Sequence, residues 1–329
     1  MTFRAIVINK TDDALDCSVS RLEESQLPDA DVLVDVEYST INYKDGLVLQ
    51  GLGNLVKAYP HVPGVDFAGI VRQSDAPGFK PGDRVVLTGW RVGEIHWGGL
   101  AEKARVRNEW LLPLPDALST RDAMIVGTAG LTAMLAVMEL EEQGLAPQKG
   151  PVLVTGATGG VGTFATRLLA DLGYEVHALS GKPEMAGYLK DLGAAAVIPR
   201  EEMSEPSKRP LEGARWAGCV DAVGGVVLSR VLAQMEYGGV VAAIGLAGGA
   251  ALSTTVVPFL LRAVKLIGID SVMCPASRRM LAWKRLAESG VIGKVSAGVQ
   301  EVGLDDAIET GRQIIAGGIS GRVVVDVHR

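Results

Sequence analysis

Val152-Leu153-Val154-Thr155-Gly156-Ala157-Thr158-Gly159-Gly160-Val161-Gly162 runs a β-branched strand into a glycine-rich turn, and a helix-forming segment follows at once. Such a turn needs glycine because side chains would hold a pyrophosphate away from the backbone amides. The helix behind it points its positive end at the same phosphates. The spacing is G-x-x-G-x-x-G through Gly156, Gly159 and Gly162, a departure from the commoner G-x-G-x-x-G. A glycine motif alone is weak. Strand before and helix after turn this one into a dinucleotide-binding loop, against the blander reading of a glycine-rich connection in an unrelated sheet. Thr158, Gly160 and Val161 lie inside the turn and join the candidate phosphate contacts.

Downstream of this loop, strands and helices alternate. Gly162 to Leu172 reads as a helix ending at Gly173, Val176 to Leu179 as a strand, and Pro183 to Leu192 as a helix stopped by Gly193. Val197 to Pro199, Gly218 to Ala222, Val240 to Gly245 and Leu266 to Ile269 supply four more strands. Six parallel strands with crossover helices predict a doubly wound Rossmann sheet in an α/β chain.

Upstream the pattern is different. The first 110 residues or so read mostly as short strands and turns. Val32, Val34 and Val36 alternate with Leu33, Asp35 and Glu37, leaving one face more polar, and Gly64 to Val71 is another strand. Pro77-Gly78 and Pro81-Gly82-Asp83 mark turns, the second leading into Arg84 to Leu87. An antiparallel, barrel-like domain is expected. Ser119 can cap a helix, and Gly127 to Leu140 reads as helical despite its glycines. After about residue 290 the elements shorten again and end in the strand Arg322 to Val327. The division predicted is 1–120 for a catalytic domain, 121–290 for the dinucleotide-binding domain, and 291–329 for a return to the first.

The second strand of the sheet separates NADH from NADPH. An NAD site usually ends that strand with an acid that accepts from the ribose hydroxyl. Here it ends in Ser180-Gly181-Lys182, where a hydroxyl and an ammonium would hold a 2′-phosphate that an acid would repel. A charge-assisted hydrogen bond of ~1.5–3 kcal/mol corresponds to roughly a ten- to hundredfold preference for NADPH. Arg200, just past the third strand, is a second candidate partner; the alternative is that both cations are solvated surface residues.

Composition narrows the function classes. The 329 residues are 48% hydrophobic and 21% charged, with 41 glycines and 5% aromatics, enough for two packed domains. A net charge of −6 argues against a broad nucleic-acid footprint. Met1 to Asn9 reads as a strand rather than a signal peptide, and no apolar run reaches the ~20 residues that span a bilayer. Cys17, Cys219 and Cys274 have no pair spacing, which fits a reducing compartment and a cytoplasmic location. His61, His96, His177 and His328 are the only histidines, and no cysteine pair accompanies them, so no metal is expected. Without a Lewis acid, oxidising a simple alcohol is disfavoured, whereas reducing a double bond conjugated to a carbonyl needs only hydrogen bonds to an enolate.

With these pieces in place, the chain resembles the medium-chain dehydrogenase/reductase superfamily in its zinc-free quinone-oxidoreductase branch, along its full length. Ile41-Asn42-Tyr43-Lys44-Asp45 stands where zinc relatives carry a catalytic cysteine, and Gly64-Val65-Asp66-Phe67-Ala68-Gly69 replaces their Gly-His-Glu segment. Pro81 to Val85 and Gly127 to Ala133 are further marks of the superfamily. Leu87 to Trp90 with Gly93 to Gly99, Tyr237 to Gly239 with Gly245 to Gly249, and Asp270 to Met273 resemble the acryloyl-CoA reductase group. The resemblance implies a GroES-like, mainly antiparallel β catalytic domain beside the Rossmann sheet, NADPH as cofactor, a CoA thioester as substrate and a homodimer. The reaction it implies is reduction of acryloyl-CoA to propionyl-CoA.

By the same resemblance, Asn42, Tyr43 and Asp45 are the catalytic candidates near the nicotinamide, and Tyr43 also a cofactor contact. Asn42 and Tyr43 could bond the ribose, the carboxamide or the thioester oxygen. Tyr43 is a possible acid, and Asp45 either acts in the site or anchors its loop through backbone amides. Some relatives use a tyrosine further along, where Gly53 stands here, so the proton donor stays open. Leu246 follows the fifth strand, Ile269, Asp270 and Ser271 close the sixth, and Arg322 could reach the cofactor from the returning tail. Trp90 and Trp97 either wall off the site or pack ordinarily. Arg262, Lys265, Arg278 and Arg279 are candidate CoA phosphate partners, each more often a solvated charge. Two rivals remain: a quinone or small-enone reductase, and an NADPH-binding protein without turnover.

Overall fold

Val32, Val34 and Val36 are fully buried, each removal from water contributing on the order of 1.5–3 kcal/mol. Leu33, on the opposite face, is buried too, because Phe3, Ala5 and Val7 cover it. The computed structural model describes residues 1–11 and 14–329. Its first part comprises β1 (Thr2–Lys10), β2 (Leu15–Glu23), β3 (Val32–Thr40), α1 (Tyr43–Leu49), β4 (Asp66–Ser74), β5 (Arg84–Thr88), β6 (Lys103–Val106) and β7 (Leu112–Pro113).

Helix α2 (Thr120–Glu142) begins where expected. The Ser119 amide donates to Asp122 Oδ2 at 3.1 Å and the Asp122 amide to Ser119 Oγ at 3.0 Å, a reciprocal cap. At Gly127 the backbone leaves the helical region, with φ 48° and ψ −159°. Contrary to the sequence expectation, α2 is long and apolar enough to span a bilayer, but 89% of its apolar window is buried inside the protein. It is a core helix.

The chain continues through β8 (Val152–Thr155), α3 (Gly160–Asp171), β9 (Val176–Ser180), α4 (Ala186–Asp191), β10 (Ala194–Pro199), β11 (Trp216–Asp221), α5 (Gly225–Ala233), β12 (Met235–Ala243), α6 (Val257–Arg262) and β13 (Lys265–Gly268). The helix expected over Pro183 to Leu192 is split, with a 3-10 turn over Pro183–Met185 before α4. The last part holds α7 (Ala276–Glu288), α8 (Val291–Val295), β14 (Val299–Gly303), α9 (Leu304–Ile315) and β15 (Arg322–Asp326).

Strands β10-β9-β8-β11-β12-β13 lie in that order, every pairing parallel. This is the 3-2-1-4-5-6 order of a doubly wound sheet. A second sheet, β14-β15-β3-β4-β5-β7 with β6 on β3, is antiparallel except where β14 meets β15. β1 and β2 form a separate antiparallel ribbon.

Two compact units result: Met1–Thr128 with Val272–Ala287 and Ser296–Arg329, and Ala129–Ser271 with Glu288–Val295. The sequence reading kept residues 272–287 in the dinucleotide-binding domain. The structure groups them with the first unit, and Arg279 shows why: its Nη1 donates to Thr88 O at 2.7 Å and Thr88 Oγ1 at 2.9 Å.

Candidate active site

The carboxyl ends of the parallel strands gather the cofactor candidates within the second unit. Gly156 follows β8 with φ +60°, and the Gly159 amide donates to its carbonyl at 2.9 Å. A Cβ on Gly162 would lie 2.4 Å from that carbonyl and 2.6 Å from Ala157 Cα, so only glycine lets α3 sit this close to the loop. Thr158, Gly160 and Val161 complete the turn and the first turn of α3. The loop is a cradle a pyrophosphate fits.

Beside it, β9 ends on Ser180, whose Oγ accepts from the Lys182 amide at 3.0 Å. Arg200 follows β10, and its guanidinium lies over Gly181, 3.0 Å from where a Cβ would stand. Ser180, Gly181, Lys182 and Arg200 are therefore neighbours. Leu246 follows β12, exposed to 59%, in a loop packed on Gly224. Ile269 extends β13, its amide donating to Ala243 O at 3.0 Å. After Asp270, Ser271 is buried and its Oγ accepts from Thr132 at 2.7 Å.

One residue here had no place in the sequence reading. Asp221, fully buried at the end of β11, accepts from Thr155 Oγ1 at 2.7 Å and the Gly224 amide at 2.9 Å. It ties the ends of β8 and β11 together. Burial pushes its carboxyl up, against the pull of those bonds. Its signal in the sequence was a lone acid closing an apolar strand.

The first unit holds a buried polar cluster. Asn42 precedes α1 and Tyr43 is its first residue, exposed to 44%. Asp45 is fully buried, with Oδ2 accepting from the Asn42 amide at 2.8 Å and Oδ1 from the Val65 amide at 2.9 Å. Through these two amides it anchors the loop. Burial pushes its carboxyl up to about 7; the Asn42 and Val65 amides oppose this and the charge of Asp66 reinforces it.

Asp66 is also fully buried. Its Oδ2 accepts from Asn42 Nδ2 at 2.8 Å and the Thr128 amide at 2.7 Å, and its Oδ1 from Thr128 Oγ1 at 2.5 Å. Sequence reasoning quoted Asp66 only as a departure from zinc relatives; an acid heading the apolar strand Asp66 to Val71 was the missed signal. Arg322, expected at the cofactor, is 3% exposed. Its Nε donates to Ile125 O, Nη1 to Asn42 Oδ1, and Nη2 to Thr40 Oγ1 and Met124 O. Four of its five N–H groups are thus spent inside the unit, one of them on Asn42.

The remaining candidates sort by their partners. Trp90 packs under Arg279, 5.0 Å from ring centre to guanidinium, and Trp97 donates to Pro60 O at 3.1 Å. Arg279, 1% exposed and bonded to Thr88, is not a surface phosphate ligand. Arg262 is spent on the carbonyls of Ala233, Met235 and Glu212, and Lys265 donates to Gln143. Arg278 is half-buried. Burial lowers the pKa of both His61 and His96, and His96 adds to the effect at His61. Among the described residues, no three His, Cys, Asp or Glu side chains form a metal-ligand group.

Residues 28–116 match the alcohol dehydrogenase GroES-like domain, and residues 160–288 the zinc-binding dehydrogenase domain. Acrylyl-CoA reductase AcuI of Ruegeria pomeroyi is 57% identical over 328 residues, covering 99% of each chain. The chain belongs to the medium-chain dehydrogenase/reductase superfamily, in its quinone-oxidoreductase-like branch. Two solved structures of this superfamily superpose over its length. The yhdH oxidoreductase of Salmonella enterica in complex with NADP has a TM-score of 0.95 at 52% identity, covering 99% of this chain and 100% of that one. The yhfP protein of Bacillus subtilis with NAD bound has a TM-score of 0.94 at 44% identity, covering 99% and 100%.

Proposed function

We propose that this protein uses NADPH to reduce the carbon–carbon double bond of acryloyl-CoA, or a similar short 2-enoyl-CoA, to the saturated thioester. The observation that carries the reading is likeness along the whole chain to an acrylyl-CoA reductase. The end of β9 supports NADPH, since Ser180, Lys182 and Arg200 surround the place where an NAD site has an acid.

Gly156, Thr158, Gly159, Gly160, Val161 and Gly162 would hold the pyrophosphate, and Ser180, Gly181, Lys182 and Arg200 the 2′-phosphate. Leu246, Ile269, Asp270 and Ser271 line the same edge of the sheet. When bound, the reduced nicotinamide supplies a hydride to the β-carbon. The electron pair of the double bond moves toward the thioester oxygen, and the α-carbon then takes a proton from solvent or a side chain. Tyr43, exposed and beginning α1, offers a phenolic hydrogen to that oxygen. Asp45 keeps the Asn42–Tyr43 turn in place.

Parallel assays of NADPH oxidation with acryloyl-CoA, crotonyl-CoA and a quinone test the reading. A quinone or small enone as acceptor is the alternative, suggested by the quinone-oxidoreductase-like branch. Faster turnover of the quinone would favour it.

A homodimer and a cytoplasmic location belong to the same reading. Leu260 and Leu261 beside the edge strand β13 are exposed to 75% and 65%, an apolar face that a second copy would cover. Light scattering of purified protein tests this, a monomer mass at micromolar concentration being the contrary result. Cys17, Cys219 and Cys274 are free thiols, which suits a reducing compartment.

A further inference from the structure

We propose that Gly181 is a specificity-determining residue: its missing side chain seats the Arg200 guanidinium against the end of β9, where that cation favours NADPH over NADH. The proposal rests on the NADPH-reductase reading above. β9 and β10 pair in parallel with Pro199 opposite Ser180, so Gly181 and Arg200 are the first residues past two neighbouring strands. Such strands lie about 4.8 Å apart, a gap that the arginine side chain crosses sideways. A Cβ on Gly181 would stand 3.0 Å from Cζ, 3.0 Å from Nε and 3.3 Å from Nη2 of Arg200. Nearly equal distances to three atoms of a planar group put that point above the plane. An approach within the plane would make them unequal. The guanidinium therefore lies face-on over Gly181.

The backbone does not demand glycine here. Gly156 has a φ of +60°, but Gly181 lies outside the left-handed region, so a residue with a side chain can take its conformation. The three atoms nearest its absent Cβ all belong to Arg200. What the missing side chain makes room for is one cation. A guanidinium carries its five N–H groups in its own plane, and neither face donates. With one face against the chain, those groups point sideways rather than into the backbone. Arg200 is exposed, and among the described residues no carboxylate pairs with it. A 2′-phosphate supplies the charge and the paired oxygens that a guanidinium fork binds, and the ribose hydroxyl of NADH supplies neither.

Gly181→Val tests this, because a branched side chain fills the seat and the guanidinium, at the end of a flexible chain, swings away. Kd for NADPH and for NADH is measured by fluorescence titration for wild type, Gly181→Val, Arg200→Ala and the double variant, with circular dichroism as the control for folding. Gly181→Val and Arg200→Ala are each expected to weaken NADPH by roughly tenfold or more and to leave NADH within about twofold. The double variant should be within about twofold of Arg200→Ala alone, because Gly181 acts through Arg200. Losses that multiply in the double variant would show that the valine itself blocks the phosphate, and would overturn the proposal. Equal losses for both cofactors would do the same. If Gly181→Val does not fold, Gly181→Ala goes through the same cycle. A wild type that prefers NADPH beside a Gly181→Val protein with the same preference refutes the seat alone. A wild type that binds NADH as tightly as NADPH refutes the NADPH reading together with it. No acyl substrate enters the cycle, so reduction of acryloyl-CoA is judged separately.

Discussion

Arg322 and Asp66 meet at Gly127: a Cβ there would stand 2.6 Å from the Arg322 guanidinium and 2.8 Å from the Asp66 carboxylate. The break in α2 places two of its carbonyls, from Met124 and Ile125, on the cation and the Thr128 amide on the anion. The charges thus suit the exposed ends of the two half-helices.

Gly127→Ala is therefore expected to destabilise the protein by about 2 kcal/mol or more. Its φ of 48° already disfavours a side chain, and the new methyl would displace a buried ion. Urea unfolding checks this. A loss under about 0.5 kcal/mol would mean that the cluster tolerates a gap between its charges.

Lys182→Ala should weaken NADPH by roughly ten- to hundredfold and leave NADH within about twofold. Isothermal titration with both cofactors measures the difference. Equal losses would remove Lys182 from the 2′-phosphate.

Tyr43→Phe tests the donor proposed for the thioester oxygen. We expect kcat to fall by about tenfold or more with Kd for NADPH nearly unchanged. An unchanged kcat would move the hydrogen bond to another group.

Asp45 gives a pH signature. Its folded-state carboxyl, raised by burial to about 7 from the ordinary 3.8, binds a proton more tightly than the unfolded chain does. Its contribution to stability is complete below about pH 4 and is lost as pH rises toward 7. Wild type should therefore lose its advantage over Asp45→Asn across that window, followed by urea midpoints. An advantage that grows with pH would show a carboxylate held ionised instead.

The sheet was legible because its signals are local. Gly156, Gly159 and Gly162 between strand and helix, and apolar strands repeating after them, can each be read within a dozen residues. Helices α7 and α9 escaped because each lies in a stretch without a glycine-rich or capping signal as plain as that of α3, and the surfaces they bury come from distant residues. In α9 only Leu304, Ala307, Thr310 and Gly311 are buried, and the helix packs on α1, far away in sequence. The polar cluster was half legible. Asn42 and Asp45 stand in a recognisable motif, but that Asp66, Thr128 and Arg322 close around them depends on contacts across 280 positions. The same long-range packing buried Arg279, which charge alone suggested was on the surface.

Hydride delivery from NADPH to an enoyl thioester is read out by kcat/KM for acryloyl-CoA beside a quinone, each with NADPH and with NADH. Acryloyl-CoA with NADPH should be the most efficient of the four pairs, by roughly tenfold or more over the same substrate with NADH. Efficient turnover of the quinone with acryloyl-CoA left unreduced, or a preference for NADH, would contradict it.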